Sequence, residues 1–425
     1  MFSFRERSVK LYLFIILIIF GDVSSISFLS DDFIISVASK FAQLIGLPKP
    51  IPEIMEEASL EATSLIRKYG YPAENHTVTT VDGYILTHHR IPHGRNGKLN
   101  ESAIPVLLIH GMNCESTQWF DNGPESLAFV LADEGYDVWL GNTRGTSYSD
   151  HSTFTRDDDR FWNFNLDEIS EHDVAPLIDY TLNITGFSKL LYIGQSMGTA
   201  VSFYIFNTNS EYNEKVAGNI ALAPALHLKY STFLMRPILQ LNEQIRYLSN
   251  MFNKHSLVAL SPLIKKLQLI FCPSDNPIIC ELSMSIAVGY NPYLRNMTRV
   301  PIYGNHCSAG SSLNILIYIA QCINNDEIRK YDYGKSENLK IYGSEFPPSI
   351  NESIMTVPTV LIHGANDVMA SPLDVEIGKK KLQNLVDTYL LPHPMAMHTD
   401  YMFAKHGKEF LYDKIVIYLR QLWKQ

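Results

Sequence analysis

The chain of 425 residues is poor in cysteine, with five, and in tryptophan, with four. Cys114, Cys272, Cys280, Cys307 and Cys322 are too few and too scattered for a disulfide-stapled scaffold or a zinc site, and their odd number leaves at least one thiol unpaired. Blocks of lysine and arginine are absent, and the formal charge of −9 is spread along the chain rather than gathered into a tail. No nucleic-acid partner is expected from such a pattern. Past the N-terminus no uncharged apolar stretch reaches the ~20 residues that a membrane-spanning helix needs, so no transmembrane segment is expected in the mature protein. Internal repeats and low-complexity tracts are also missing.

What is present, 46% hydrophobic and 19% charged residues, suits one large globular domain carrying an insertion. At the N-terminus Arg5, Arg7 and Lys10 precede an apolar run over 11–20, and small residues follow at Ser24 and Ser25. This is the pattern of a cleaved signal peptide, assigned to residues 1–25. Five N-x-S/T sequons, at Asn75, Asn100, Asn183, Asn296 and Asn351, agree with a secretory route and predict glycosylated surface positions. The expected destination is extracellular or lysosomal.

Short β-branched runs at 106–109, 136–140, 190–193, 219–222, 359–362 and 388–391 end in loops bearing Gly, His, Ser or Asp, with helical patterns between them. That alternation predicts an α/β fold with a mostly parallel central sheet and helices on both faces. In such sheets the reactive groups collect beyond the strand C-termini. More than a hundred residues separate the runs at 219–222 and 359–362, too many for a simple crossover. An inserted, mainly helical cap and lid is assigned to 227–353, between core segments 26–226 and 354–425.

Gly194-Gln195-Ser196-Met197-Gly198 lies between a predicted strand and a predicted helix. A serine on a sharp strand-to-helix turn needs small residues such as Gly194 and Gly198 on either side, because side chains there would meet the neighbouring elements. The hydroxyl becomes nucleophilic only when a histidine, oriented by a carboxylate, accepts its proton. In this topology the order along the chain is serine, acid, histidine. Asp367, in the loop after the run at 359–362, fits the acid, whereas Asp374 reads as a solvated helix cap. His398, in the loop after the last strand, fits the base; His393 reads as a loop-shaping residue, His406 as a solvated helix face and His363 as a satisfied structural group. Backbone N–H groups of Met112 and Met197 are the candidate oxyanion donors.

These segments, together with Tyr69-Gly70-Tyr71-Pro72, Asp82-Gly83-Tyr84, Gly141-Asn142-Thr143-Arg144-Gly145, Phe161-Trp162-Asn163-Phe164 and Asn296-Met297-Thr298-Arg299-Val300, resemble the acid lipase family of animals. The resemblance runs from about residue 66 to the C-terminus. It implies an α/β-hydrolase core with cap and lid, hydrolysis of neutral acylglycerols or steryl esters at a lipid–water interface, and the triad Ser196, Asp367 and His398. It also implies Met112 and Met197 as oxyanion donors and a cap disulfide between Cys272 and Cys280, leaving the pairing of Cys114, Cys307 and Cys322 open. The chain departs from the family pattern beside the nucleophile, with Gln195 where His is usual and Met197 where Gln is usual. Ester hydrolysis by this route needs neither a metal nor an organic cofactor. The alternatives are a carboxylesterase or acyltransferase, and a non-catalytic lipid carrier on the same fold; intact candidate triad residues weigh against the carrier.

Overall fold

The computed structural model describes residues 30–98, 102–234, 236–257, 260–275, 277–325 and 327–424. The expected signal peptide (1–25) and the sequon at Asn100 lie outside the described residues. Among the described residues eleven strands form, in chain order β1 Glu74–Thr79, β2 Tyr84–Ile91, β3 Pro105–Ile109, β4 Asp137–Gly141, β5 Ser149–His151, β6 Leu190–Gln195, β7 Val216–Leu222, β8 Ser256–Leu257, β9 Ser311–Ser312, β10 Thr359–His363 and β11 Leu385–Leu390. Nine of them make one sheet in the order β1-β2-β4-β3-β6-β7-β10-β11, with β5 paired to β2. The pairs from β4 through to β11 are parallel, whereas β1, β2 and β5 pair antiparallel, as does β2 with β4.

A continuous apolar strand is the mark of a sheet covered on both faces. In β3, Val106 and Leu108 enter one core cluster, while Leu107 and Ile109 enter another on the opposite face. Strand pleating accounts for this, since successive side chains point to opposite sides. The six runs read from the sequence all form strands of this sheet, and β11 begins three residues earlier than its pattern indicated.

Between β7 and β10 the chain is mainly helical, with helices at Asn242–Phe252, Pro262–Phe271, Ile278–Val288, Val300–His306, Leu313–Asn324 and Lys335–Tyr342. Residues 226–234 run as loop and turn, and a short helix forms over Arg236–Leu239. The helix Asp31–Leu44 starts at Ser30, whose hydroxyl accepts from the Phe33 N–H, and carries Asp31 and Asp32 in its first turn, where the helix dipole favours negative charge. Its Ile34, Ala38 and Ala42, spaced by four, pack against Leu263, Ile264, Leu267 and Ile270 of the helix Pro262–Phe271. The helix Asp31–Leu44 therefore buries its apolar stripe on the helical segment between β7 and β10.

Among the described residues, no helix is long and apolar enough to cross a membrane.

Candidate active site

Ser196 stands between β6 and the helix Met197–Thr208 with φ 51° and ψ −111°. A non-glycine residue at positive φ is strained and is held there by its surroundings. Here the Ser196 N–H donates to the Leu222 carbonyl at 3.0 Å, and the helix starts on the Ser196 carbonyl, which accepts from Thr199 N at 2.9 Å. Gly198 has no room for a Cβ, which would collide with the Ile109 carbonyl of the neighbouring strand. Gly194 is equally constrained, because a Cβ there would strike the main chain of Gly198 and Thr199.

Three side chains distant in sequence meet at this turn. His398 Nε2 lies 2.7 Å from Ser196 Oγ, and His398 Nδ1 lies 3.0 and 3.1 Å from the two oxygens of Asp367. An ionised carboxylate only accepts, so Nδ1 carries the proton and Nε2 is left to receive the serine proton. Burial alone would raise the Asp367 carboxyl. The adjoining His398 and the N–H groups of Ala370 and Met369, each at 2.9 Å, outweigh that and hold it below the usual range. Tyr401 also donates to Asp367, at 3.2 Å. The sequence offered no signal for this tyrosine beyond its place three residues after His398.

Met112 and Met197 both line the cavity beside Ser196. Met197 is the first residue of its helix, so its N–H belongs to the turn that a helix leaves without internal partners. The loop carrying Met112 follows β3 and is fixed at several points. Gly111 N donates to Gln118 Oε1 at 3.2 Å, and His110 Nδ1 donates to the Gly111 carbonyl at 2.8 Å while its Nε2 accepts from Thr143 N at 3.2 Å. Burial drives His110 down to about 4, so the ring is neutral in this role. Asn113, at φ 65°, is tied to the end of the helix Val300–His306: its Nδ2 donates to the Cys307 carbonyl at 3.0 Å, and its own carbonyl accepts from Ala309 N at 3.1 Å. Cys114 forms a disulfide with Cys307, and Cys272 forms one with Cys280. Cys322 is a free thiol on the cavity wall.

The His398 loop is also braced by residues from the segment between β7 and β10. Arg295 Nη1 contacts both oxygens of Glu281 at 2.5 and 2.6 Å, and its Nη2 donates to Thr399 Oγ1 at 2.8 Å; neither Arg295 nor Glu281 is exposed. Asn291 Nδ2 donates to Asp400 Oδ2 at 2.7 Å, and that oxygen also accepts from Met397 N. Asp374 is not a solvated cap. It is only 2% exposed and accepts from Tyr230 N at 3.0 and 3.1 Å, with burial raising its carboxyl to about 6. His363, read as satisfied, has a buried Nδ1 without a hydrogen-bond partner among the described residues. His393 Nδ1 accepts from Met395 N, and His406 is exposed in a turn at φ 58°.

The cavity next to Ser196 holds about 1270 Å³ including its open mouth, and residues such as Leu226, Phe233, Ile315, Ile319 and Ile350 make its wall largely apolar. Among the described residues no group of three His, Cys, Asp or Glu is placed to hold a metal ion. Asn75, Asn183 and Asn351 are exposed, whereas Asn296 is half-buried with its Nδ2 donating to Asn122 Oδ1 at 3.3 Å. The arrangement pairs a strained, activated hydroxyl with a greasy cleft, and it can perform acyl transfer on an apolar ester.

The model of the α/β-hydrolase fold matches residues 104–270, and that of a partial α/β-hydrolase lipase region matches residues 62–123. Lipase member N of Mus musculus is 33% identical over 375 residues, covering 87% of this chain and 92% of that protein. Gastric triacylglycerol lipase of Bos taurus is 34% identical over 368 residues, covering 85% and 91% respectively. Lysosomal acid lipase/cholesteryl ester hydrolase of Rattus norvegicus is 33% identical over 380 residues, covering 87% and 94%. The solved structure of DcsB with its substrate analogue, 14% identical at a TM-score of 0.51, covers 83% of this chain and 100% of that one; it shares the fold alone. Nearly full-length similarity at this level, on an α/β-hydrolase sheet, places the chain in the acid lipase family.

Proposed function

We propose that this protein is a lipase that hydrolyses the carboxylic esters of neutral lipids, triacylglycerols foremost and steryl esters in addition, through an acyl-enzyme on Ser196. The observation that carries the reading is the relay Ser196 Oγ, His398 Nε2 and Nδ1, and Asp367, with contacts of 2.7 and 3.0 Å opening on an apolar cavity. His398 takes the Ser196 proton as Oγ adds to the ester carbonyl, and the oxygen that becomes negative is met by the N–H groups of Met112 and Met197. Collapse of the tetrahedral adduct breaks the bond to the alcohol, which leaves with the proton held on His398. Water, deprotonated by the same imidazole, then releases the fatty acid and restores the serine.

Residues 227–353 act as cap and lid in this reading, between core segments 26–226 and 354–425. The helix Asn242–Phe252 leaves Tyr247, Leu248, Met251 and Phe252 exposed, an apolar face suited to contact with a lipid surface. Relatives named for gastric and lysosomal sites, together with the sequons at Asn75, Asn183, Asn296 and Asn351, favour passage through the secretory pathway with removal of residues 1–25. Asn75, Asn183 and Asn351 are the better glycan acceptors, since Asn296 already uses its amide.

The test is turnover of triolein, cholesteryl oleate and tributyrin by purified protein and by Ser196→Ala, alongside labelling by a fluorophosphonate. Hydrolysis and labelling that vanish together in a folded Ser196→Ala protein are expected. Undiminished hydrolysis in that variant would remove the nucleophile, and an unlabelled, inert native protein would remove the catalytic reading.

A further inference from the structure

Gln195 precedes the nucleophile and ends β6, yet its side chain reaches across to the opposite wall of the site. Its Nε2 donates to the main-chain carbonyl of His398 at 3.1 Å. A carbonyl only accepts, so the amide is oriented with NH₂ toward His398 and Oε1 away from it. On that other side Oε1 packs so closely over Gly111 that a Cβ there would collide with it. One neutral side chain thus touches both the loop that carries the imidazole and the loop that carries Met112, and it is 5% exposed.

On the reading of Ser196 and His398 given above, we propose that Gln195 is a positioning residue: its amide fixes the His398 main chain against the nucleophile's own strand and so sets the distance from Nε2 to Oγ. Physical need argues for it. His398 lies in a loop between the end of β11 and the short helix Asp400–Phe403, and Asp367 holds the ring only through Nδ1, about which the imidazole can still swing. Arg295 and Asn291 brace the residues that follow, at Thr399 and Asp400, and the Gln195 amide adds an anchor on the main chain of His398 itself, which limits how far the base of the imidazole can shift. Reactive groups displaced by about 1 Å can lose on the order of 100-fold in rate, so an anchor at this point acts on turnover rather than on substrate binding. The titratable group that Gln195 contacts is His398, through its main chain, with Asp367 behind the ring.

The variants are Gln195→Met, which keeps the length and removes the donor, and Gln195→Glu, which can donate only while its carboxyl is protonated. With a soluble ester, Gln195→Met should lose about tenfold or more in kcat with KM within about twofold and an unchanged melting temperature. For Gln195→Glu the ratio of its kcat to that of the native protein should rise as pH falls, because protonation restores the donor. A carboxylate acting only through its charge would move the ratio the other way, by favouring the imidazolium that cannot act as base. Native kcat in a folded Gln195→Met overturns the proposal. Should that variant fail to fold, a flat or falling ratio for Gln195→Glu on acidification overturns it equally. Native protein inert to a fluorophosphonate would sink the underlying reading, whereas labelled native protein with indifferent variants would sink this inference alone.

Discussion

Cys114, in the loop that follows β3, is covalently joined to Cys307 at the end of the helix Val300–His306, across 193 residues of sequence. The disulfide and the two hydrogen bonds of Asn113 fasten the loop after β3 to the helical segment between β7 and β10, beside the cavity that Ser196 lines.

A cross-link restricts the unfolded chain more as the loop it closes lengthens, which gives about 5 kcal/mol for a loop of this size and about 2.5 kcal/mol for the short Cys272–Cys280 loop in the chain-entropy account. Cys114→Ser with Cys307→Ser is therefore expected to lower stability toward urea by more than Cys272→Ser with Cys280→Ser. The reverse order in unfolding midpoints would contradict the argument.

The fully buried Arg295–Glu281 pair gives a second prediction. Removing one partner leaves an uncompensated charge in the interior, a loss of about 3–5 kcal/mol. Arg295→Met should be destabilised by this order, and adding Glu281→Gln should recover part of it. A double variant no better than Arg295→Met, measured by chemical denaturation, would mean that the two charges do not depend on each other.

Asp167 couples stability to pH. Burial, with Glu168 adding to it, raises its carboxyl from 3.8 to about 7. A folded-state value above the unfolded one means that the native state holds the proton more tightly, so the contribution is complete below about pH 4 and is lost as pH rises through about 7. The full difference is on the order of 4 kcal/mol. Asp167→Asn should thus gain on the native protein between pH 4 and pH 7.5 in urea midpoints; a difference constant across that range would refute it.

At the turn, Gly198→Ala places a methyl group against the Ile109 carbonyl, which cannot move without disturbing β3. Overpacking of this kind costs about 1–3 kcal/mol. Activity should fall with it, since Ser196 and Met197 share the displaced turn. A variant with native melting temperature and native turnover would show that the turn yields more easily than its contacts indicate.

Much of this was legible in the sequence because its causes are local. Runs such as 106–109 and 359–362 are apolar on both faces, as only strands buried in a two-sided sheet are. Small residues round Ser196, and loops that place Asp367 and His398 in the right order, carry the positions that the fold brings within contact. What escaped notice depends on partners distant along the chain. β1 alternates exposed polar with partly buried residues and carries His76, Thr77 and Thr79, so its pairing with β2 left no apolar run to read. Nothing near Cys114 points to Cys307. Asp374 looked like a solvated cap because its local setting, the first turn of the helix Pro372–Lys381, is where caps are usual; the backbone of Tyr230, from another part of the chain, is what buries it.

Cys322, unpaired on the cavity wall, carries a thiol that burial pushes up to about 12. Disulfide exchange proceeds through the thiolate, so at neutral or acidic pH this sulfur is chemically silent. Once the chain is folded, an odd cysteine held in this way is a poor partner for exchange with the two bridges, and its sulfur adds to the apolar lining of the cavity.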